Sequence, residues 1–286
     1  MDLISISISI SIVPFIAILL FILAVAYRKC EVGAVAWLFF AVYCIHKIAS
    51  YVADGEYFES SVAIVFLAFT LLLVAFMLKP KPKAKADALM GGSVEKGDEN
   101  LFYTINRFAL ITAAFYFPFA EIHALETLLI YITTISTVAV LNLFNVSVYM
   151  VYPALIYSTD CSFHEIYRAV RIILDCTGLS SMALFLGLIF GVNGLGIRKL
   201  KAFIVSVPTI YVLNIARNVF IIAAYFEHWF GCSPLDSFFI AHDVIGRLFA
   251  MIALIAIAYA VFVILPETLD LIEDFFRLIL RIRLYL

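Results

Sequence analysis

The chain has 286 residues, 65% of them hydrophobic and only 14% charged, with a formal net charge of -2 and a mean hydropathy of +1.09. That mix excludes an ordinary soluble globular domain, and the lack of a basic stripe or nucleic-acid motif excludes a nucleic-acid partner. It predicts an all-α polytopic membrane protein, because lipid forces each spanning backbone to satisfy its hydrogen bonds internally.

A spanning helix needs about 20 mostly apolar residues. In chain order the first candidates are 8–27, 32–53 and 60–78. The first has no charged n-region and no small-residue cleavage site, so it reads as a retained helix. Residues 79–100 carry Lys79, Lys81, Lys83 and Lys85 between prolines, then Gly91-Gly92 and mixed charge, and read as a solvated loop. Candidates 103–119, 178–197, 202–225 and 239–264 follow, with the apolar stretch 123–144 harder to place. Residues 266–286 alternate acidic and basic residues with Leu, Ile and Phe, as an amphipathic helix lying on a membrane does. This divides the chain into a three-helix part (1–78), a basic cytoplasmic loop (79–100), a membrane core (101–265) and an amphipathic end (266–286).

Cytoplasmic loops carry an excess of Lys and Arg. Most basic residues fall in four places: Arg28 and Lys29; Lys79 to Lys96 with Arg107; Arg198, Lys199 and Lys201; and Arg277, Arg281 and Arg283. With all four inside, the acidic loop 54–59 and the start of segment 178–197 lie outside. The number of crossings between loop 79–100 and Cys176 is then odd. Either 123–144 does not span, or 141–158 spans as well. The first is favoured, since Glu126, Thr133, Thr134 and Thr137 suit a helix held against the outer surface. Residues 145–175 then form a small extracytoplasmic subdomain, with 146–151 and 154–157 as short strands. That gives seven spans, with eight or nine as the alternative.

Ionisable groups in membrane segments are costly and usually mark function, and three consecutive segments carry them near one depth. The first opens with Asp175-Cys176-Thr177-Gly178-Leu179-Ser180-Ser181. Here Cys176 stands at a helix N-terminus, which favours a thiolate, although Asp175 opposes it. Thr177 or Asp175 supplies a cap, Gly178 permits close backbone approach, and Ser180 falls on the face of Cys176. The second carries Asn214-Ile215-Ala216-Arg217-Asn218. Arg217 lies on the order of 10 Å deep at 1.5 Å per residue, with Asn214 on its face to hold the guanidinium. The third carries His242-Asp243-Val244-Ile245-Gly246-Arg247. His242 is a general acid or base. Arg247, five residues on, falls about 140° round an α-helix and pairs with Asp243 or serves as a second cation. A thiol with a base and a cation points to acyl transfer through a thioester.

D-C-T-G-L-S-S, then L-N-I-A-R-N, then A-H-D-V-I-G-R resemble the exosortase/archaeosortase family of polytopic membrane cysteine transpeptidases, over about residues 100–285. The C-T-G spelling and the N-x-x-R-N form look closer to the archaeal branch. The resemblance implies Cys176 as nucleophile, Arg217 as stabilising cation, and His242 or Arg247 as third member, with Asn214, Asn218, Thr177, Gly178, Ser180 and Asp243 in support. It also implies the partners. Secreted precursors would carry a Pro-Gly-Phe-like motif, a transmembrane helix and a basic tail at the C-terminus, S-layer glycoproteins among them. A membrane lipid with an amine head group would accept the cleaved chain.

Alternatives are a cysteine protease that only hydrolyses, and a transporter using Arg217, His242 and Asp243. Inverted repeats would mark the transporter, and the sequence has no such symmetry. Cys30, Cys44, Cys161, Cys176 and Cys232 show no metal-binding spacing, so neither metal nor cofactor is expected. Cys161 and Cys232 both fall outside and could form a disulfide, two isolated thiols being the alternative. Asn145-Val146-Ser147 is a glycosylation sequon on the same side. The expected location is the cell membrane, with the active site extracytoplasmic.

Overall fold

The computed structural model describes residues 12–53, 55–78, 91–159, 169–231 and 233–282. The proposed Cys161–Cys232 pairing and residues 79–90 of the basic loop lie outside them. The chain is helical as expected. Five helices among the described residues are long and apolar enough to cross a membrane by length and composition.

Contacts divide the chain into two compact units. The first comprises Met1–Phe117, Phe190–Asn193 and Glu267–Leu286. It contains α1 (Val13–Tyr27), α2 (Cys30–Ala53), α3 (Tyr57–Met77), most of α4 (Gly91–Glu121) and α10 (Glu267–Ile282). Its core gathers Phe21, Trp37, Leu73, Leu101, Phe102 and Ile105. Phe21 meets Trp37 edge-on at 5.2 Å between ring centroids, a favoured aromatic geometry. The indole N–H, which must find a partner when buried, donates to Asn106 Oδ1 at 3.0 Å.

Two expectations change here. Residues 91–100 of the supposed solvated loop are helical, the opening of α4. Gly91, Gly92 and Gly97 are poor helix formers, so this opening depends on propagation from the helix that the apolar stretch nucleates. The amphipathic C-terminal helix is also not left to lipid alone. Leu278 is buried, and Leu271 and Phe275 pack on the core of the first unit, while Phe276 and Leu280 stay exposed.

The second unit, Pro118–Ile189 with Gly194–Pro266, holds every residue of the predicted site. It starts with α5 (His123–Leu143), then β1 (Val148–Val151), β2 (Leu155–Ser158) and β3 (Val170–Arg171). The strands form an antiparallel sheet in the order β1-β2-β3, with Val148 opposite Ser158 and Leu155 opposite Arg171. Asn142 fastens the sheet to the end of α5, its side chain bonding both Val148 N–H and C=O at 3.1 Å. In α5 the threonines face inward: Thr133, Thr134 and Thr137 are fully buried. Thr134 and Thr137 donate to the carbonyls of Ile130 and Thr133 at 2.7 and 2.8 Å. These two hydroxyls are satisfied within their own helix and are compatible with an apolar setting, while Thr133 Oγ1 has no partner among the described residues. The threonines therefore do not single α5 out as a surface helix. By length and composition α5 is one of the five candidate spans.

A 3-10 turn (Leu174–Thr177), α6 (Leu179–Gly191), α7 (Gly196–Glu227), α8 (Pro234–Phe239), a π-helix (Ile240–Gly246) and α9 (Arg247–Ile264) complete the unit. At 13 residues, α6 rises only about 20 Å, shorter than the span expected over 178–197, because the chain leaves the helix at Gly191. His228 ends α7 in a left-handed conformation, φ 54°. Ser233 then caps α8 by accepting from the Leu235 N–H at 3.2 Å, so the chain reverses within a few residues and carries His242 back towards α7.

Candidate active site

Three elements of the second unit converge: the 3-10 turn, the middle of α7 and the π-helix. Cys176 is half-buried in the turn, as a free thiol. It does not open an α-helix, as the sequence suggested. Gly178, at φ 75°, turns the chain left-handed and α6 starts only at Leu179. Thr177 is buried and holds this junction, donating to the Leu174 carbonyl at 2.6 Å and accepting from the Leu179 N–H at 3.3 Å. The break also removes Ser180 from the face of Cys176, and Ser180 is exposed.

The carbonyl of Cys176 therefore has no helical N–H to accept, and α7 supplies the donors instead. The carboxamides of Asn214 and Asn218 both donate to it, the Asn218 bond at 2.8 Å. Four residues apart, the two side chains share one helix face and grip one backbone oxygen from across the fold. This corrects the expectation that Asn214 holds the guanidinium of Arg217. The grip also accounts for Gly178: a Cβ there would sit 3.3 Å from the Asn214 side chain, in a conformation that L-residues rarely adopt.

Burial pushes the Cys176 thiol up from its ordinary range; a backbone hydrogen bond from Ile173 and the charge of Arg217 pull it back, while Asp175 pushes it further up. Burial prevails, so the resting thiol is protonated at neutral pH. Nucleophilic chemistry here needs a base to take that proton.

Arg217 is coupled electrostatically to Cys176 on one side and to Asp243 and Arg247 on the other. Its Nε is buried and has no hydrogen-bond partner among the described residues. A buried donor that meets no acceptor costs stability. Gly246 makes room for it, since a Cβ there would lie 3.2 Å from Arg217 Nε and 2.8 Å from the Ala241 carbonyl.

His242, Asp243 and Arg247 belong to the π-helix and its exit. Asp243 Oδ1 lies 3.2 Å from His242 Nδ1 and 2.9 Å from Arg247 Nη2. Phe238 stacks on the imidazole, with centroids 5.2 Å apart and planes at 7°. The sequence placed His242 and Arg247 on different faces of an α-helix. In a π-helix hydrogen bonds run from i to i+5, so a five-residue spacing becomes one turn and both side chains reach one carboxylate. The π register and the Phe238 stack were not foreseen.

Fold and site together define a polytopic helical membrane protein with a cysteine, an arginine and a histidine–aspartate pair gathered in one unit. The transmembrane exosortase family matches residues 5–259, and the chain belongs to that family. It is 30% identical over 210 residues to archaeosortase A of Natronomonas pharaonis, covering 66% of each chain. It is 38% identical over 118 residues to archaeosortase A of Haloferax volcanii, covering 37% of this chain and 39% of that protein. The matched regions thus span 66% and 39% of the lengths of these two relatives. No solved structure matches the chain.

Proposed function

We propose that the protein is a membrane cysteine transpeptidase that processes C-terminal sorting signals. Its substrates are secreted precursors, such as S-layer glycoproteins, ending in a Pro-Gly-Phe-like motif, a transmembrane helix and a basic tail. The distribution of Lys and Arg supports an extracytoplasmic site, and membership of the exosortase family supports the reaction class. The observation that carries the reading is the juxtaposition of Cys176 with Arg217, whose buried Nε–H lacks a partner among the described residues.

The steps follow from these groups. The Cys176 proton passes to His242, and the thiolate adds to the carbonyl carbon at the motif. Arg217 stabilises the resulting oxyanion, a contribution of about 2.7–4 kcal/mol where one such donor has been removed elsewhere. The intermediate collapses with cleavage of the C–N bond, and His242 returns the proton to the leaving amine. The chain is now a thioester on Cys176. A lipid amine adds to it, His242 takes the amine proton, the C–S bond breaks, and the thiolate recovers that proton. The acceptor decides between transfer and simple hydrolysis.

The test is processing of a precursor by membranes carrying Cys176→Ala. The precursor accumulates uncut with the variant and is cut by wild type. Equal processing by both contradicts the reading. The mass of the wild-type product separates amide transfer from hydrolysis, since only transfer adds the lipid.

A further inference from the structure

The π-helix does more than interrupt α8 and α9. Over Ile240–Gly246 it changes the register so that the side chains at 242, 243 and 247 meet at one atom, Asp243 Oδ1. Arg247 Nη2 donates to that same oxygen at 2.9 Å, so Asp243 Oδ1 already serves as an acceptor. An ionised carboxylate is only an acceptor. The ring nitrogen facing it, Nδ1 of His242, must therefore be the one that carries hydrogen. In the neutral imidazole the lone pair then lies on Nε2. Phe238 holds the plane of the ring by stacking, so the direction of that lone pair is fixed as well.

We propose that Asp243 is a positioning residue: it holds His242 in the Nδ1–H tautomer and leaves Nε2 as the atom that moves protons. Arg247 acts through Asp243, not on the substrate. This deepens the transpeptidase reading and rests on it for the role of His242, and it assigns the third member of the group to His242. In this register Gly246 comes close to Arg217, where an added Cβ would lie 3.2 Å from Nε. An α-helical register would leave Asp243 within reach of Arg247 at i+4 but would turn His242 away from Arg247.

The experiment uses the full chain in detergent micelles or nanodiscs with 15N-labelled histidine. The chain has five histidines, and a His242→Gln variant assigns the His242 signals. With the imidazole neutral, the expected spectrum shows a protonated Nδ1 and a pyridine-like Nε2. Asp243→Asn moves the population towards Nε2–H, and Asp243→Glu restores the wild-type pattern at least in part. In processing assays Asp243→Asn lowers kcat by up to about 10⁴-fold, the loss seen when another enzyme's orienting aspartate is amidated, and leaves KM nearly unchanged. Arg247→Gln lowers kcat less than Asp243→Asn does. A pyridine-like Nδ1 in the wild type overturns the proposal, as does an unchanged spectrum in Asp243→Asn. If Cys176→Ala still processes the precursor, the transpeptidase reading fails, while the tautomer signals test the role of Asp243 independently.

Discussion

Arg217→Ala lowers the rate of precursor cleavage by about 10²–10³-fold, the loss expected when one donor to a developing oxyanion is removed. The effect falls on kcat rather than KM, because the buried Nε–H meets its acceptor only when the tetrahedral intermediate forms. Arg217→Lys recovers only part of the rate. An ammonium keeps the charge but lacks the planar fork of donors, and it cannot place a donor where Nε lies beside Gly246. A second readout gives the sign of the electrostatics. Arg217 pulls the thiol of Cys176 down against the push of burial, and Asp175 pushes it up. Alkylation of Cys176, which needs the thiolate, therefore shifts to higher pH in Arg217→Gln and to lower pH in Asp175→Asn. Wild-type cleavage in Arg217→Ala, or an alkylation profile that ignores both substitutions, contradicts this role.

Asn218→Leu lowers cleavage by on the order of 10²-fold, although the side chain touches no reacting atom. Misplacing a group by about 1 Å suffices for a loss of that size. The Asn218 carboxamide donates at 2.8 Å to the carbonyl of Cys176, the proposed nucleophile. Without it the turn at Leu174–Thr177 loses one of its two holds on α7. The lost bond costs about 1 kcal/mol of stability, so the variant still folds, and Cys176 remains open to alkylation. Asn214→Leu behaves in the same way, and the double variant exceeds either alone, since both bonds end on one oxygen. Unimpaired cleavage in the double variant would contradict a positioning role for the carboxamides.

Much of the fold was legible because membrane helices announce themselves by apolar length. The segments 32–53, 202–225 and 239–264 lie within or nearly coincide with helices Cys30–Ala53, Gly196–Glu227 and Pro234–Ile264. The strands before Cys176 were legible in position, and β1 and β2 lie within two residues of the predicted ranges. What periodicity alone does not encode is where a helix stops being α. Gly178 breaks the run between Cys176 and Ser180, so a face-sharing argument sound for a continuous helix fails there. The π-helix fails the same argument in the other direction, bringing His242 and Arg247 together. Neither break changes the apolar count, so hydropathy is blind to both.

The site shows the same division. Cys176, Arg217 and His242 stand out in the sequence because charge and nucleophilicity are rare in apolar segments. The partners of Asn214 and Asn218 do not, since a carboxamide bonds a side chain or a backbone carbonyl equally well. Only the fold, which sets Cys176 some forty residues away against α7, selects the carbonyl. Burial of Thr133, Thr134 and Thr137 was hidden for a related reason. Threonine can return its hydroxyl bond to its own helix, and its composition does not say whether it has done so.

The most direct test of a thioester at Cys176 is mass spectrometry of the peptide containing that residue, after a brief reaction of wild-type protein with a precursor in membranes lacking lipid amines. The expected spectrum shows this peptide heavier by the acyl fragment that ends at the cut, the mass of the corresponding free acid less one water, while the segment beyond the cut has left as the amine. Hydroxylamine should remove the added mass, and Cys176→Ala should never acquire it. Cleaved precursor without any adduct on Cys176 at the shortest times, together with cleavage that persists in Cys176→Ala, would contradict the account.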